Sequence, residues 1–485
     1  MSVLLLIPGF ISLFLVLRGR VETAFLWVYL PSLILVPETY YLRIPHTPPT
    51  SVAEYALIPI GIAAVGRFLR SASFALMDLL VVAYAASVAL SEILHSPVLN
   101  AGIFAAFDAF VSVVLSYMVG RMLIEPDLRF VTIRRFVVLI LCLGPAGLFE
   151  WKMGQNLYGI LGDRILGLGT VSETVQMRGG HGRMAAAFSD AELAGIAFAI
   201  TACLNAWLAY LRKIKANVDL GKTLTALEKY QVPGIMLLIF LWLNQSRGPQ
   251  IALVAGFLIL QVKRFKNTRL MTVVVGLVLL AGYFAASAYF SAYTNVSRYT
   301  AVSEQQGSAL YRRMMNEVYA PIAEEGGWTG YGLLEIPHVN GQNSIDNNFL
   351  LVHLAWGRLA YILFVLIAWE NIRVLVMRSW RFKTLPDKAF AISMMAAMAV
   401  LWLSLLTVYL GEQLPQVAFL LIGWTQAMVP GRALDSSRSE IGENRNRKFA
   451  FQRDAESTVR CKRVSSGVYD QLLDEVAGSW QITGP

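Results

Sequence analysis

Charge is scarce in this sequence. Of its 485 residues only 15% are charged, whereas 56% are hydrophobic, and a soluble domain carries nearer a quarter charged residues. A soluble globule is therefore excluded. Cysteine is almost absent: Cys142, Cys203 and Cys461 are scattered without CxxC spacing, so neither a disulfide framework nor a thiolate zinc site is expected. The five histidines are dispersed, and there is no HExxH, no DxD and no helical cluster of His with carboxylates. No metal and no cofactor are expected. A phosphate loop of the GxxxxGK[ST] type is missing too, which excludes a nucleotide site of that kind. Neither an internal repeat nor a low-complexity tract is present.

What is present is apolar sequence in runs. The mean hydropathy is +0.55, and thirteen runs are candidates for membrane-crossing helices. They lie near 1–17, 22–37, 52–66, 73–94, 102–124, 130–149, 192–211, 231–243, 249–262, 269–290, 347–369, 389–410 and 414–430. The fold class expected is an all-α polytopic bundle of about 12–13 transmembrane helices over residues 1–430, carrying large loops at 150–191 and 291–346. The first run has no small-residue cleavage site ahead of a soluble domain and is expected to be a retained span. Residues 431–485 are rich in Ser, Asn and mixed charge; a loosely ordered appendage is expected there.

The net charge of +9 follows from orientation more readily than from nucleic acid, and no nucleic-acid partner is expected. Alternate loops hold the basic residues: 22 fall in one set, around Arg18, Arg67, Arg121–Arg135, Arg212–Lys229, Lys263–Arg269 and Arg373–Lys388. Only 9 fall in the other, including Arg43, Arg164, Arg178, Arg183, Arg247, Arg298, Arg312 and Arg313. The positive-inside rule makes the first set cytoplasmic, together with the tail, and turns Arg247 and both long loops outward. A transferase on that face must draw its donor from the membrane. A lipid diphosphate suits arginine, whose fork of donors matches paired anionic oxygens.

Arg247 stands in "NQSRGPQ" (244–250) between two apolar runs, at headgroup depth; a snorkelling interface residue is the plainer alternative. Arg312 and Arg313 lie outside on a predicted helix, about 100° apart, so one of the two is expected to face a shared site. Asp346 and Asn347 enter a span. Asp346 fits a partly desolvated general base, and equally a helix N-cap. His353, two turns deeper, reads as structural; His338 and His181 lie in outer loops. Arg183 in "RGGHGRM" is either a second phosphate contact or an ordinary solvated residue. The acidic pairs Asp190/Glu192 and Glu324/Glu325 read as solvated charges. Arg358 and Asp108 fall inside spans, and an ion pair between them is expected. Trp328, Tyr311, Tyr319 and Tyr331 suit either sugar stacking or an interface belt.

Taken in order, "SRG" between two spans, Arg followed by "GYG" in a large loop, and a polar pair entering a span with a glycine beyond it resemble the O-antigen ligase, O-antigen polymerase and exopolysaccharide polymerase family. The ligases carry a His-Asn pair, nine residues, then Gly-x-x-Gly. Here Asp346-Asn347 is followed by nine residues and Gly357, with Asp346 in place of the histidine and Ala360 in place of the second glycine. "FEWKMGQNLYG" (149–159) and "GRMAAAFSDAELAG" (182–195) look like the family's outer loop, so the resemblance covers about residues 140–370.

The resemblance implies a metal-independent glycosyltransferase of the bacterial inner membrane. Its donor would be an undecaprenyl-diphosphate-linked oligosaccharide, its acceptor a glycan or lipid hydroxyl, and its surroundings membrane lipids and polysaccharide export or chain-length proteins. Arg247, Arg312, Arg313 and Arg183 would bind substrate; Asp346 would act as base, with Asn347 orienting it. The aspartate in place of histidine favours a repeat-unit polymerase. A ligase acting on a lipid A core, and a transporter or flippase of lipid-linked glycans, remain alternatives.

Overall fold

The computed structural model describes residues 2–42, 47–71, 74–167, 175–188, 190–214, 231–295, 303–342 and 344–428. The expected tail at 431–485 lies outside them. Among the described residues, eight helices are long and apolar enough to cross a membrane: α3 (Val52–Ser71), α4 (Leu76–His95), α5 (Leu99–Leu123), α6 (Pro126–Met153), α7 (Ala191–Ile214), α10 (Thr268–Tyr293), α12 (Asn348–Arg381) and α13 (Leu385–Ser404). Shorter apolar helices complete the order: α1 (Ile7–Leu17), α2 (Val21–Leu35), α8 (Val232–Asn244), α9 (Arg247–Gln261) and α14 (Gln413–Ala427). The polar helix α11 (Glu304–Glu325) lies between α10 and α12. The chain is an all-α membrane bundle whose strands, among the described residues, are two antiparallel pairs of two residues each, Tyr41–Leu42 with Thr50–Ser51 and Met177–Arg178 with His181–Gly182.

Burial sorts the helices. In α7 83% of the apolar window is buried, whereas α10, the most hydrophobic, buries nothing. Apolar residues on every face suit α7 to the bundle centre, against α8, α9 and α13, and suit α10 to lipid contact all round. At the crossing of α5 and α14, a Cβ on Gly120 or Gly423 would come 2.0 Å from the other helix's backbone. Only glycine permits so close an approach. Near the same crossing Tyr117 and Arg121 bond the buried Asp78 of α4, and Arg121 and Arg378 both donate to the carbonyl of Gln426.

Helix α12 departs from the expected span 347–369. It breaks at Gly357, where φ is +76° and ψ −173°, and the segment "GGWTGYG" (326–332) closes the break. Tyr331 N donates to Leu354 O at 3.0 Å and Gly332 N to Ala355 O at 2.7 Å; in return Arg358 N and Leu359 N donate to Gly327 O at 3.0 Å and Trp328 O at 3.4 Å. Four backbone groups freed by the break thus find partners, as a low-dielectric setting demands. A Cβ on Gly357 would sit 2.4 Å from Gly330 N, and one on Gly330 would sit 2.5 Å from Ala355 O. From α4, Ser91 bonds Thr329 O and Ala355 O, and Glu92 accepts from Leu333 N and Trp356 Nε1.

The break also relocates a charge. The stretch from Arg358 to Arg381 is long enough by itself to cross a bilayer, about 36 Å at 1.5 Å per residue. Arg358 therefore stands at its start rather than at mid-span. It pairs with Glu324 at 2.5 Å, both side chains well exposed. The expected pairing of Arg358 with Asp108 does not form: Asp108 accepts from Ser112 Oγ at 3.3 Å and adjoins Glu54.

Candidate functional site

The turn between α8 and α9 is built around two buried side chains. Asn244 donates from Nδ2 to the carbonyls of Met184 and Ala191, and Ser246 Oγ donates to Ala191 O at 3.2 Å. Gln245, with φ +57°, reverses the chain. These bonds fasten "NQSRG" to the start of α7 and to the 181–188 segment, and so bring the arginines of separate loops together.

Glu192, near the start of α7, is the centre. Arg312 Nη2 lies 3.3 Å and Arg183 Nη2 3.5 Å from its Oε1. Arg183 is 5% exposed; it also donates to Ser246 Oγ at 2.7 Å and to Gln176 Oε1. Paired in this way, with Arg183 buried and Glu192 half-buried, they are not the solvated charges that the sequence admits. Arg178 donates to Gln245 O at 2.7 Å, and burial together with the charges of Arg183 and Arg247 holds its guanidinium below the usual range. Arg247, the first residue of α9, is exposed and has no hydrogen-bond or ion-pair partner among the described residues. Four guanidiniums thus gather about one carboxylate.

Arg178 and Arg247 form a wall shared by two cavities. One, about 360 Å³, is lined by Trp151, His181, Trp242, Leu243 and Gln250 besides the two arginines; His181 stacks on Trp151 with ring centres 4.3 Å apart. The other, about 480 Å³, adds Glu192, Arg312, Phe290 and Ser308. Arg313 turns away, bonding Glu317 at 2.7 Å and Thr294 O at 3.1 Å, so the 100° offset gives the site one arginine of the pair. Anion binding is what this arrangement can do: guanidinium donors preset around a concave, partly desolvated surface, with Arg247 left unpaired among the described residues.

Asp346 borders the cluster. It lies within electrostatic reach of Glu192, accepts from Ser344 Oγ at 2.7 Å, and lines neither cavity. It is not the cap of α12. That position belongs to Asn347, whose Oδ1 accepts from Phe349 N and Leu350 N at 3.1 and 3.3 Å while its Nδ2 meets Asn316 Oδ1. The Asn347 side chain is thereby engaged in holding the helix end. His353 stacks on Tyr361 and His338 is exposed. Of the loop aromatics, Tyr319 is buried against Met315, Ala323 and Leu354, Tyr311 bonds Ser344 O, Tyr331 bonds Ile322 O, and Trp328 is exposed.

Sequence reasoning did not single out Arg178 or the aromatic pair Trp151 and Trp242, and it read Glu192 as a solvated charge. Arg178 had a signal, since "RGGH" is a two-residue hairpin sequence that sets Arg178 opposite His181. Glu192 had none, because one acidic residue at a helix start looks the same whether solvated or paired. No family model matches this chain, and no curated protein is detectably similar to it in sequence.

Proposed function

We propose that the chain is a membrane glycosyltransferase that moves a glycan from an undecaprenyl-diphosphate-linked donor to an acceptor hydroxyl, acting as a repeat-unit polymerase. The observation that carries this reading is the gathering of four arginines at one place: Arg183 and Arg312 pair with Glu192, Arg178 and Arg247 line both cavities, and Arg247 is left unpaired among the described residues. A diphosphate supplies the missing negative charge, and its departure from the sugar is eased by guanidiniums already in place. Asp346, held by Ser344, is the base that takes the acceptor proton, a role worth about 10²- to 10⁴-fold. Asn347 acts through the helix end it caps, fixing the backbone beside Asp346. The distribution of basic loops supports an outward orientation of this site with the tail inside; in this reading the membrane is a bacterial inner membrane, and export or chain-length proteins at its outer face receive the product.

A transporter of the same lipid would use arginines without bond making, and broken helices are common in transporters. The break at Gly357 argues the other way here, because four of its backbone groups are satisfied by residues 327–332 rather than offered to a cargo.

Chain length on lipid-linked glycan, measured in cells producing the intact protein, Asp346→Ala or Arg247→Ala, tests the reading. Loss of long chains with single repeats left on the lipid at the outer face is the expected result. Accumulation of long lipid-linked chains would make the protein a ligase, and single repeats held at the inner face a transporter.

A further inference from the structure

The two cavities beside the arginines differ in what surrounds them. The smaller is walled by Trp151, His181, Trp242 and Leu243 as well as by Arg178 and Arg247, and it stands at the C-terminal end of α8. That helix is two-sided. Leu237, Phe240 and Leu241 face the bundle, whereas Ile235, Ile239 and Trp242 are exposed, Trp242 by 75%. Positions 235, 239 and 242 follow one another at helical spacing, so an apolar stripe climbs α8 and ends in the cavity beside two guanidiniums. The larger cavity shares those guanidiniums but adds Glu192, Arg312 and Ser308, and Asp346 lies within electrostatic reach of Glu192.

From this arrangement we infer the direction in which the donor lies. The isoprenoid chain of a polyprenyl diphosphate runs along the exposed stripe of α8 into the cavity of Trp151 and Trp242, its diphosphate meets Arg178 and Arg247, and the sugar stands in the cavity of Glu192 and Arg312. The inference rests on the function proposed above and adds a path for the lipid. Two observations carry it. An amphiphile with an anionic head fits a hydrocarbon track that ends at a cation; α8 supplies the track, Trp151 and Leu243 extend its apolar surface, and Arg178 and Arg247 close it. The second observation is the place of Asp346. A general base must stand beside the hydroxyl that it deprotonates, and that hydroxyl beside the sugar it attacks. Asp346 adjoins Glu192, which lines the larger cavity, so the sugar belongs on that side. The chain, attached to the other end of the diphosphate, is thereby directed to the far side of the arginine wall. Phe290, from the lipid-facing α10, also lines the larger cavity, and a chain leaving past it is the arrangement that the test must separate from this one.

The test uses the full chain in phosphatidylcholine nanodiscs with farnesyl diphosphate that carries a diazirine on its hydrocarbon chain. After irradiation, peptide mapping of the intact protein is expected to find the label on Trp151 and on α8 around Ile239 and Trp242, and Arg247→Ala should reduce it about tenfold or more. Calorimetry supplies a second reading: Trp242→Ala should cut the advantage of farnesyl diphosphate over inorganic pyrophosphate about three- to tenfold. Label concentrated on Phe290 and its neighbours in α10, and still lost in Arg247→Ala, would overturn the path while leaving the proposed function in place. Label on α8 that Arg247→Ala leaves untouched, or that phosphatidylglycerol displaces as well as unlabelled farnesyl diphosphate does, would mark contact with ordinary lipid and overturn the path too. If pyrophosphate fails to bind the intact protein, the anion site falls, and the proposed function with it.

Discussion

Two charged regions flank Tyr409, which stands within electrostatic reach of Glu412 on one side and of Asp346 and Glu192 on the other. They handle their charge differently. In the basic site Glu192 ties down Arg183 and Arg312, a carbonyl holds Arg178, and only Arg247 is left over. In the cavity lined by Glu38, Glu54, Asp108 and Glu412 a proton stands in for a counter-ion on Glu38: burial, and then the charges of Glu54, Asp108 and Glu412, push its carboxyl well above the usual range. A buried guanidinium resists neutralisation, so it must be paired; a carboxyl can hold a proton and wait.

The comparison breaks most sharply at Arg183. Arg183→Ala removes a buried cation and leaves Glu192 with Arg312 alone, so a loss of about 3–5 kcal/mol is expected. Thermal unfolding of the reconstituted protein reads it, and an unchanged transition would mean that Arg183 is not a structural member of the cluster. Arg247→Ala should do the reverse. Stability should hold within about 0.5 kcal/mol, while affinity for inorganic pyrophosphate, measured by calorimetry, should fall about 10- to 100-fold for a lost charge-assisted bond.

The acidic side is sharpened by pH. Folding keeps a proton on Glu38 that the unfolded chain releases in the ordinary carboxylate range, so this group's contribution is complete below that range and declines as pH rises toward the raised value. Melting temperature should therefore fall from pH 5 to pH 7.5, and Glu38→Gln should flatten the slope; an identical slope in the variant would remove Glu38 from the account. The smallest effect is expected at Arg313, half-exposed and, among the described residues, bonded to Glu317 of its own helix and to Thr294 O. Arg313→Ala should change neither stability nor pyrophosphate affinity by more than about 0.5 kcal/mol, in contrast to Arg312→Ala.

Much of the bundle was legible because hydropathy records what a bilayer demands of a helix, and α4 and α7 begin and end within a few residues of their apolar runs. That one of Arg312 and Arg313 would face the site, and not both, was legible because helical geometry alone sets the angle between neighbours. Three features were not legible, each for a different reason. Asp346 and Asn347 are both good caps, and a one-residue register decides between them, which composition does not encode. Gly357 stands in an apolar run where a tolerated helical glycine and a chain break look alike, since hydropathy carries no φ. Asp108 meets Glu54 rather than Arg358 because partner choice depends on how α3 and α5 are rotated in the bundle, a property of tertiary packing.

The closure at Gly357 sets an order on the making of the protein. Glu92 receives its donors from residues 241 and 264 positions later in the chain, and Ser91 reaches as far. During synthesis α4 is therefore complete, with an acid facing its neighbours, long before the groups that satisfy it exist. A loop spanning so much chain is slow to close, and three segments must meet together. This corner consequently matures only after Trp356 has been made, and chains halted before Leu333 should be the ones that quality-control proteases remove.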